Sequence, residues 1–219
     1  MKKQLIIGLL SVLVLSAVHG QQAGKISLGF CAGIQFGMHE TQDGIKNWLR
    51  ANSMSESSVP GFNLSIYGLY SFTDYIALQT ELNVTLGVGI KGKYDNSHWA
   101  NATYACLDIP ILLKVNFLKS REKRFGILGG PYFNTPLGQF NIKYQNYSNS
   151  DEKYNIDTPI LGMILGLYYA GSLEGIGVIA NLRYAGDFGK SMININKSTT
   201  TSFIIRRGIT FTVGMEFTL

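Results

Sequence analysis

The stretch Ile26-Ser-Leu-Gly-Phe-Cys-Ala-Gly-Ile-Gln-Phe-Gly-Met38 carries an apolar side chain at every second position. The residues between them are small or polar, and none of them is charged. A period of two predicts a β-strand with one apolar and one polar face. Its 13 residues exceed the roughly five or six of an ordinary globular strand, and they are enough to cross a bilayer at a tilt.

The same alternation returns in seven later stretches, so the sequence predicts eight strands. The later stretches cover residues 61–72, 76–90, 103–117, 125–138, 158–170, 176–184 and 202–219. Short connections (73–74, 118–124, 171–175) alternate with long polar ones (39–60, 92–101, 139–157, 185–201). An even strand number with short turns at one end and long loops at the other is typical of outer-membrane barrels.

We therefore predict an all-β fold, an eight-stranded antiparallel up-and-down transmembrane β-barrel. Both ends of the mature chain then lie on the periplasmic side, because an even number of strands returns the chain to its starting side. Residues 43–51 of the first long loop have some helical character, which predicts one short helix there.

A soluble eight-stranded barrel would also alternate, but its polar face would point into water. Such a face is normally rich in Lys and Glu, whereas here it consists mostly of Gly, Ser, Thr and Asn. Charged residues make up only 15% of the chain, against roughly 25% in soluble proteins. Small polar residues suit a narrow lumen, and aromatic residues near the strand ends suit membrane interfaces. The membrane barrel is the favoured interpretation.

The N-terminus predicts export. Met1-Lys2-Lys3 is a basic start, and the apolar stretch from Leu5 to Val18 is shorter than the ~20 residues that a spanning helix needs. We predict a signal peptide over residues 1–20, removed after Gly20, and a barrel domain over residues 21–219 in the cell outer membrane. The two cysteines, Cys31 and Cys106, are too few for a disulfide framework and are interpreted as buried small residues.

Four segments resemble the PorT-like outer-membrane β-barrel family. They are Tyr104-Ala-Cys-Leu-Asp-Ile-Pro-Ile-Leu-Leu-Lys114, Phe125-Gly-Ile-Leu-Gly-Gly-Pro-Tyr132, Asn181-Leu-Arg-Tyr184 and Gly208-Ile-Thr-Phe-Thr-Val-Gly-Met-Glu-Phe-Thr-Leu219. The resemblance implies an eight-stranded outer-membrane barrel, usually without enzymatic activity. The last segment also resembles the insertion signal that the barrel assembly machinery reads, with Thr212, Gly214, Phe217 and Leu219 in the expected places. It ends on Leu219 where an aromatic residue is usual.

Motifs for cofactors, metals and catalysis are weak in this sequence. Gly87-Val-Gly-Ile-Lys-Gly92 matches a dinucleotide-binding pattern, but a polar loop follows it where that motif needs a helix. His39 and His98 fall in two different long loops, and we interpret them as solvated. No Gly-x-Ser-x-Gly elbow occurs, and the formal net charge of +5 includes no dense basic run. We expect no cofactor, no metal, no enzymatic activity and no nucleic-acid partner.

Charged residues on the predicted lumen face carry equal numbers of positive and negative charges. They are Glu81, Asp108, Lys114, Arg183, Arg206 and Glu216. Residue counts from the periplasmic strand ends put Glu81 level with Arg183, and Lys114 level with Glu216, on strands that face each other across the barrel. A lone charge in a narrow lumen costs several kcal/mol unless it is paired. We therefore predict that these two pairs meet and close the lumen, as a structural cluster rather than an ion path or catalytic pair.

These observations favour a small outer-membrane barrel with a side-chain-filled lumen, which acts as a structural or interaction protein through its extracellular loops. Its expected partners are outer-membrane lipid, the barrel assembly machinery during insertion and an unidentified molecule bound by the loops. Two alternatives stay open at this point: a narrow porin-like conduit for small solutes, and a membrane-embedded enzyme that uses loop residues.

Overall fold

The computed structural model describes residues 24–41, 55–73, 75–93, 99–119, 123–144, 152–157, 160–173, 176–189, 191–194 and 201–219. These residues form eleven strands. In chain order the strands are β1 (Lys25–Thr41), β2 (Ser55–Ser71), β3 (Ile76–Lys93), β4 (Trp99–Lys119), β5 (Lys123–Pro136), β6 (Gln139–Tyr144), β7 (Glu152–Asp157), β8 (Ile160–Leu173), β9 (Ile176–Asp187), β10 (Ser191–Asn194) and β11 (Thr201–Thr218). Within these ranges no helix is long and apolar enough to cross a membrane.

Eight of the strands close into a barrel in the order β1-β2-β3-β4-β5-β8-β9-β11, and every neighbouring pair is antiparallel. The first and last strands pair along a register that runs from Ser27↔Thr218 to Thr41↔Ile204. This ladder removes the two free edges that an open sheet would have. The prediction of an eight-stranded antiparallel barrel is confirmed.

The burial pattern is inside out compared with that of a soluble barrel. Large apolar side chains on alternate positions of β1, such as Phe30 and Phe36, are almost half exposed on the outer surface. The buried positions on the lumen side are polar, for example Gln35, Asn63 and Gln79. An apolar outer band around a polar interior is the arrangement that hydrocarbon chains require.

Three short strands, β6, β7 and β10, extend the sheet beyond the barrel at the end opposite the chain termini. β6 pairs with β4 and β7, and β10 pairs with β7 and β11. The interpretation of residues 139–157 and 185–201 as loops was therefore wrong in part, because ladder hydrogen bonds to long neighbouring strands stabilise these short segments. His39 likewise lies in β1, in register with Arg206, and not in a loop. The predicted helix at residues 43–51 and His98 lie outside the described residues.

A β-bulge interrupts β3 near its loop end. Thr85 pairs with Cys106 and Val88 with Tyr104, so Leu86 and Gly87 together face the single residue Ala105. Gly87 has a φ of 73°, which glycine adopts without steric cost. The alternation predicted that Val88 shares the outer face with Leu86. This was wrong, because the extra residue reverses the alternation and leaves Val88 fully buried.

Each of three tyrosines in the lumen has its ring over a glycine of the neighbouring strand. The direct cross-strand pairs are Gly29↔Tyr67, Gly162↔Tyr132 and Gly126↔Tyr168. A β-carbon built on these glycines would lie 2.2, 2.4 and 2.9 Å from the respective ring. Each glycine therefore provides the space in which a large ring lies flat against the barrel wall.

We predict that Gly162→Ala lowers the free energy of unfolding by about 1–3 kcal/mol, because the methyl group displaces the Tyr132 ring. The matched control is Gly68→Ala, since a β-carbon at Gly68 has only Leu28 Cδ2 nearby, at 3.9 Å. Both changes restrict the unfolded chain equally. Urea unfolding from detergent micelles measures the difference, and equal midpoints for the two variants would contradict this packing.

Candidate functional site: the charge network of the lumen

Among the side chains that the structure describes, eight charged ones form a network in the barrel interior, four acidic and four basic. All six residues predicted from the sequence are among them and are buried: Glu81, Asp108, Lys114, Arg183, Arg206 and Glu216. Two further residues join the network, namely Arg124 and Asp187. The set remains neutral, as burial of charge in a narrow lumen requires.

Glu81 and Arg183 form an ion pair across the middle of the barrel. The two guanidinium nitrogens Nη1 and Nη2 of Arg183 donate to Oε2 and Oε1 of Glu81 over 2.7 and 2.8 Å. The Gln79 side-chain amide also donates to Glu81. β3 and β9 stand four strands apart in the ring of eight, so this contact spans the full width of the lumen, as expected from the sequence.

A second cross-lumen pair lies nearer the loop end. Arg206 Nη2 and Nη1 donate to Oδ1 and Oδ2 of Asp108 over 2.8 and 3.1 Å. Asn134 Nδ2 also donates to Asp108, over 2.6 Å. On its other side, Arg206 has its Nε 3.7 Å from Asp187 Oδ1, and the Tyr132 hydroxyl donates to the same carboxylate. Arg206 is thus held between two carboxylates.

The end near the chain termini differs from the prediction. Lys114 and Glu216 form no ion pair within 4 Å; among the described contacts, Glu216 pairs instead with Arg124 and accepts a hydrogen bond from the Tyr67 hydroxyl over 3.3 Å. The Lys114 ammonium lies over the Tyr168 ring, 4.1 Å from its centroid. The predicted Lys114–Glu216 pair was wrong because the forked guanidinium of Arg124 binds the carboxylate, while the ammonium interacts with an aromatic face.

Arg124 and Asp187 were missed because the strands are longer than the predicted segments. Arg124 precedes the predicted start of its strand, yet it continues the inward alternation of Leu128 and Tyr132. Asp187 ends β9 and continues the alternation of Arg183 in the same way. Both residues would have been identified if each predicted strand had been extended for as long as the alternation of inward and outward side chains continues.

Uncharged polar side chains fill another part of the lumen. Asn63 Nδ2 donates to Asn83 Oδ1 and Thr85 Oγ1 over 2.7 and 2.9 Å, and the Thr85 hydroxyl donates to Gln35 Oε1 over 2.8 Å. These residues come from β1, β2 and β3, so the hydrogen bonds tie three neighbouring strands together inside the barrel.

The described side chains include no group of three or more His, Cys, Asp or Glu residues that could hold a metal ion. Cys31 and Cys106 are free and buried, which confirms their interpretation as buried small residues. Cys106 accepts a hydrogen bond from Arg206 Nη1 over 2.8 Å and so belongs to the charge network.

Three residues of the predicted insertion signal lie on the two faces of β11, and the fourth, Leu219, directly follows the strand. Thr212 is buried and accepts a hydrogen bond from Asn181 Nδ2 over 3.2 Å, whereas Phe217 and Leu219 are exposed. A β-carbon on Gly214 would lie 1.9 Å from the carbonyl oxygen of Phe30, so this glycine allows close contact at the closing seam. Their role as an insertion signal stays a prediction.

We predict that Tyr132→Phe destabilises the barrel by about 1.5–3 kcal/mol, because the buried carboxylate of Asp187 loses a hydrogen-bond donor. The control is Tyr169→Phe on the exposed outer surface, which removes a hydroxyl without affecting a buried charge. Urea unfolding of both variants from micelles measures the effect. A Tyr132→Phe midpoint equal to that of Tyr169→Phe would show that Asp187 does not depend on Tyr132.

Solved structures share this fold. The outer membrane protein OprG from Pseudomonas aeruginosa aligns with a TM-score of 0.57 and 11% identity, covering 90% of this chain and 96% of OprG. A major outer membrane protein from Thermus thermophilus aligns with a TM-score of 0.52 and 13% identity, covering 90% of this chain and all of that one. Neisserial surface protein A aligns with a TM-score of 0.50 and 11% identity, covering 86% and 95%. At these identities the likeness concerns the fold alone.

Sequence comparison identifies the family. No curated protein is significantly similar to the chain. Residues 19–185, however, match the family described as "Outer membrane protein beta-barrel domain". This match covers well over half of the 219 residues, and the closed barrel with its apolar outer surface agrees with it. The chain therefore belongs to the outer membrane protein beta-barrel domain family.

Proposed function

We propose that this outer-membrane barrel does not conduct and acts as a structural or interaction protein through the surface at its loop end. The main support for this proposal comes from two ion pairs that span the lumen. Glu81–Arg183 joins β3 to β9, and Asp108–Arg206 joins β4 to β11. In both cases the strands stand opposite each other in the ring of eight.

Eight strands leave an interior just wide enough for side chains to fill. A solute that passes through must separate both ion pairs, and each separation leaves buried charges without partners. Breaking a buried pair costs about 3–5 kcal/mol. The tyrosines Tyr67, Tyr132 and Tyr168, which are all buried, narrow the space further. These features support a closed barrel over a conduit.

The interaction role is supported by the extra sheet at the loop end. Strands β6, β7 and β10 continue the ladders of β4 and β11 beyond the barrel. Such an extension gives the protein an ordered surface outside the apolar belt, where a partner in the medium or on another cell can bind. We assign no enzymatic activity, because the lumen charges are all engaged in pairs or over rings.

We also propose that residues 1–20 are removed as a signal peptide and that residues 21–219 form the mature barrel, which the barrel assembly machinery inserts. The chain falls in the PorT-like branch, which is supported by the segments 104–114 and 125–132. These segments form β4 and β5, which contribute Asp108, Arg124 and Tyr132 to the lumen network.

We predict that the wild-type protein in a planar lipid bilayer shows no steady conductance. Replacing one cross-lumen pair by alanines leaves the second pair in place and the barrel still closed. Replacing both pairs, in Glu81→Ala/Arg183→Ala/Asp108→Ala/Arg206→Ala, opens small conductance steps. Lys123→Ala at the exposed end of β5 serves as the control. A steady nanosiemens-scale pore in the wild-type protein would contradict the proposal.

A further inference from the structure

Two prolines lie within the barrel wall on neighbouring strands. Pro110 belongs to β4 and Pro131 to β5. They come from the two segments 104–114 and 125–132, which resemble the PorT-like family. Their level is that of the apolar belt, since Ile111, next to Pro110, is 51% exposed on the outer surface. Proline has no backbone N–H to give to a ladder and is rare within a sheet.

The ladder between β3 and β4 is interrupted at Pro110. Along this fully described stretch it pairs Thr80 with Ile111, skips two positions and resumes at Asn83. In the gap Pro110 faces Glu81. The register is the same on both sides of the gap, so no residue is inserted, and the missing N–H of Pro110 accounts for the interruption. The Glu81 carbonyl therefore loses the donor that a regular ladder would supply.

The ladder between β4 and β5 is interrupted in the same way at Pro131. It skips Ile111 and Leu112 and resumes at Leu113 with an unchanged register. In this gap Pro131 faces Ile111, whose carbonyl loses its ladder donor. A β-carbon on Gly130 would lie 2.0 Å from that carbonyl oxygen, so the absence of a side chain at Gly130 is what lets the two backbones stay close.

Residues 109–112 of β4, which we name the proline segment, thus have fewer ladder hydrogen bonds on both edges. The strand β9 differs from it. Over its described residues 176–187, the ladders with β8 and β11 run through the apolar belt without a skipped position. Local opening of a sheet becomes easier where fewer backbone hydrogen bonds must be broken. The ladders therefore hold the proline segment less firmly than they hold β9.

The lumen network contacts the residues on both sides of the proline segment. Glu81, which faces Pro110 from β3, accepts two hydrogen bonds from Arg183 of β9 over 2.7 and 2.8 Å. Tyr132, which pairs with Pro110 from β5, donates to the carboxylate of Asp187, also on β9. Side chains therefore connect the weakly paired part of the wall to a strand whose own ladders are continuous.

We propose that the proline segment is a flexible part of the barrel wall, and that the Glu81–Arg183 ion pair and the Tyr132–Asp187 hydrogen bond hold it in place. When Arg183 separates from Glu81, the wall yields at the two gaps before it yields elsewhere along β9 and β11. The ion pair then has a second role besides filling the lumen, because it also controls a local conformational change of the wall.

Amide hydrogen exchange, followed by NMR on the protein folded in detergent micelles, tests the proposal. Ile111 and Leu112 report on the proline segment. Phe211 and Thr212 of β11 are the matched amides on the opposite wall, because their ladders are continuous and Phe211 is as exposed on the outer surface as Ile111, at 51%. We expect Ile111 and Leu112 to exchange about 30-fold faster, since each missing ladder bond contributes about fivefold.

Pro131→Ala restores the missing N–H opposite Ile111. We expect the exchange of Ile111 and Leu112 to become about fivefold slower, because one ladder bond is regained. The control is Met163→Ala, which shortens the outward side chain that pairs with Pro131 from β8 and leaves the backbone donors unchanged. It should leave the exchange of Ile111 and Leu112 as in the wild-type protein.

Arg183→Met removes the ion pair from the far side of the lumen. Because β9 pairs with β11, a disturbance that spreads only along the ladders would reach Phe211 and Thr212 first. We expect the exchange of Ile111 and Leu112 to accelerate about tenfold more than that of the two β11 amides. Heat-modifiable migration in gels verifies folding. If Arg183→Met does not fold, Arg183→Lys replaces it, since lysine keeps the charge and loses the bidentate contact.

Three results would overturn the proposal. The first is equal exchange of the two sets of amides in the wild-type protein, and the second is equal exchange of Ile111 and Leu112 in Pro131→Ala and Met163→Ala. The third is equal acceleration of both sets by the change at Arg183. The test is independent of the closed lumen, because a conducting wild-type barrel would refute the proposed function and leave these exchange rates unaffected.

Discussion

A strand in hydrocarbon can leave no backbone N–H or C=O unpaired, because each unpaired group costs several kcal/mol. The closing ladder between β1 and β11 satisfies this constraint for the whole sheet. Closure with eight strands fixes a narrow lumen, and the period of two sends every second side chain into it. Apolar residues can then face only lipid, and every inward charge must find its partner across a small space.

The contents of the lumen follow from that limited space. Opposite strands are close enough for long side chains to meet at the axis, as Glu81 and Arg183 do. Three of the large rings lie where the neighbouring strand has a glycine, as Tyr132 does opposite Gly162. The neutral charge, the bidentate ion pairs and the rings placed over glycines all satisfy one requirement, that a narrow interior must hold polar and charged side chains.

Much of this arrangement could be predicted from the sequence, because period-two alternation directly reports which residues face the lumen. The eight strands and the meeting of Glu81 with Arg183 depend on alternation and residue counting alone. The predictions were wrong where residue counting along a strand does not give the correct face or the correct strand end. A bulge at Gly87 reverses the faces, and strands that extend past their apolar segment bring Arg124 and Asp187 into the network. The strands β6 and β7 pair beyond the apolar belt, and they are too short to show an apolar alternation that could be recognised in the sequence.

A double-mutant cycle on Glu81 and Arg183 measures whether paired charges hold the lumen closed. The measurement is the free energy of unfolding in urea from micelles for Arg183→Met, Glu81→Gln and the double variant. Removing Arg183 alone should cost about 3–5 kcal/mol, because Glu81 is left buried and uncompensated. The double variant should be more stable than Arg183→Met alone. Simple additivity of the two single changes would show that the pair does not organise the lumen.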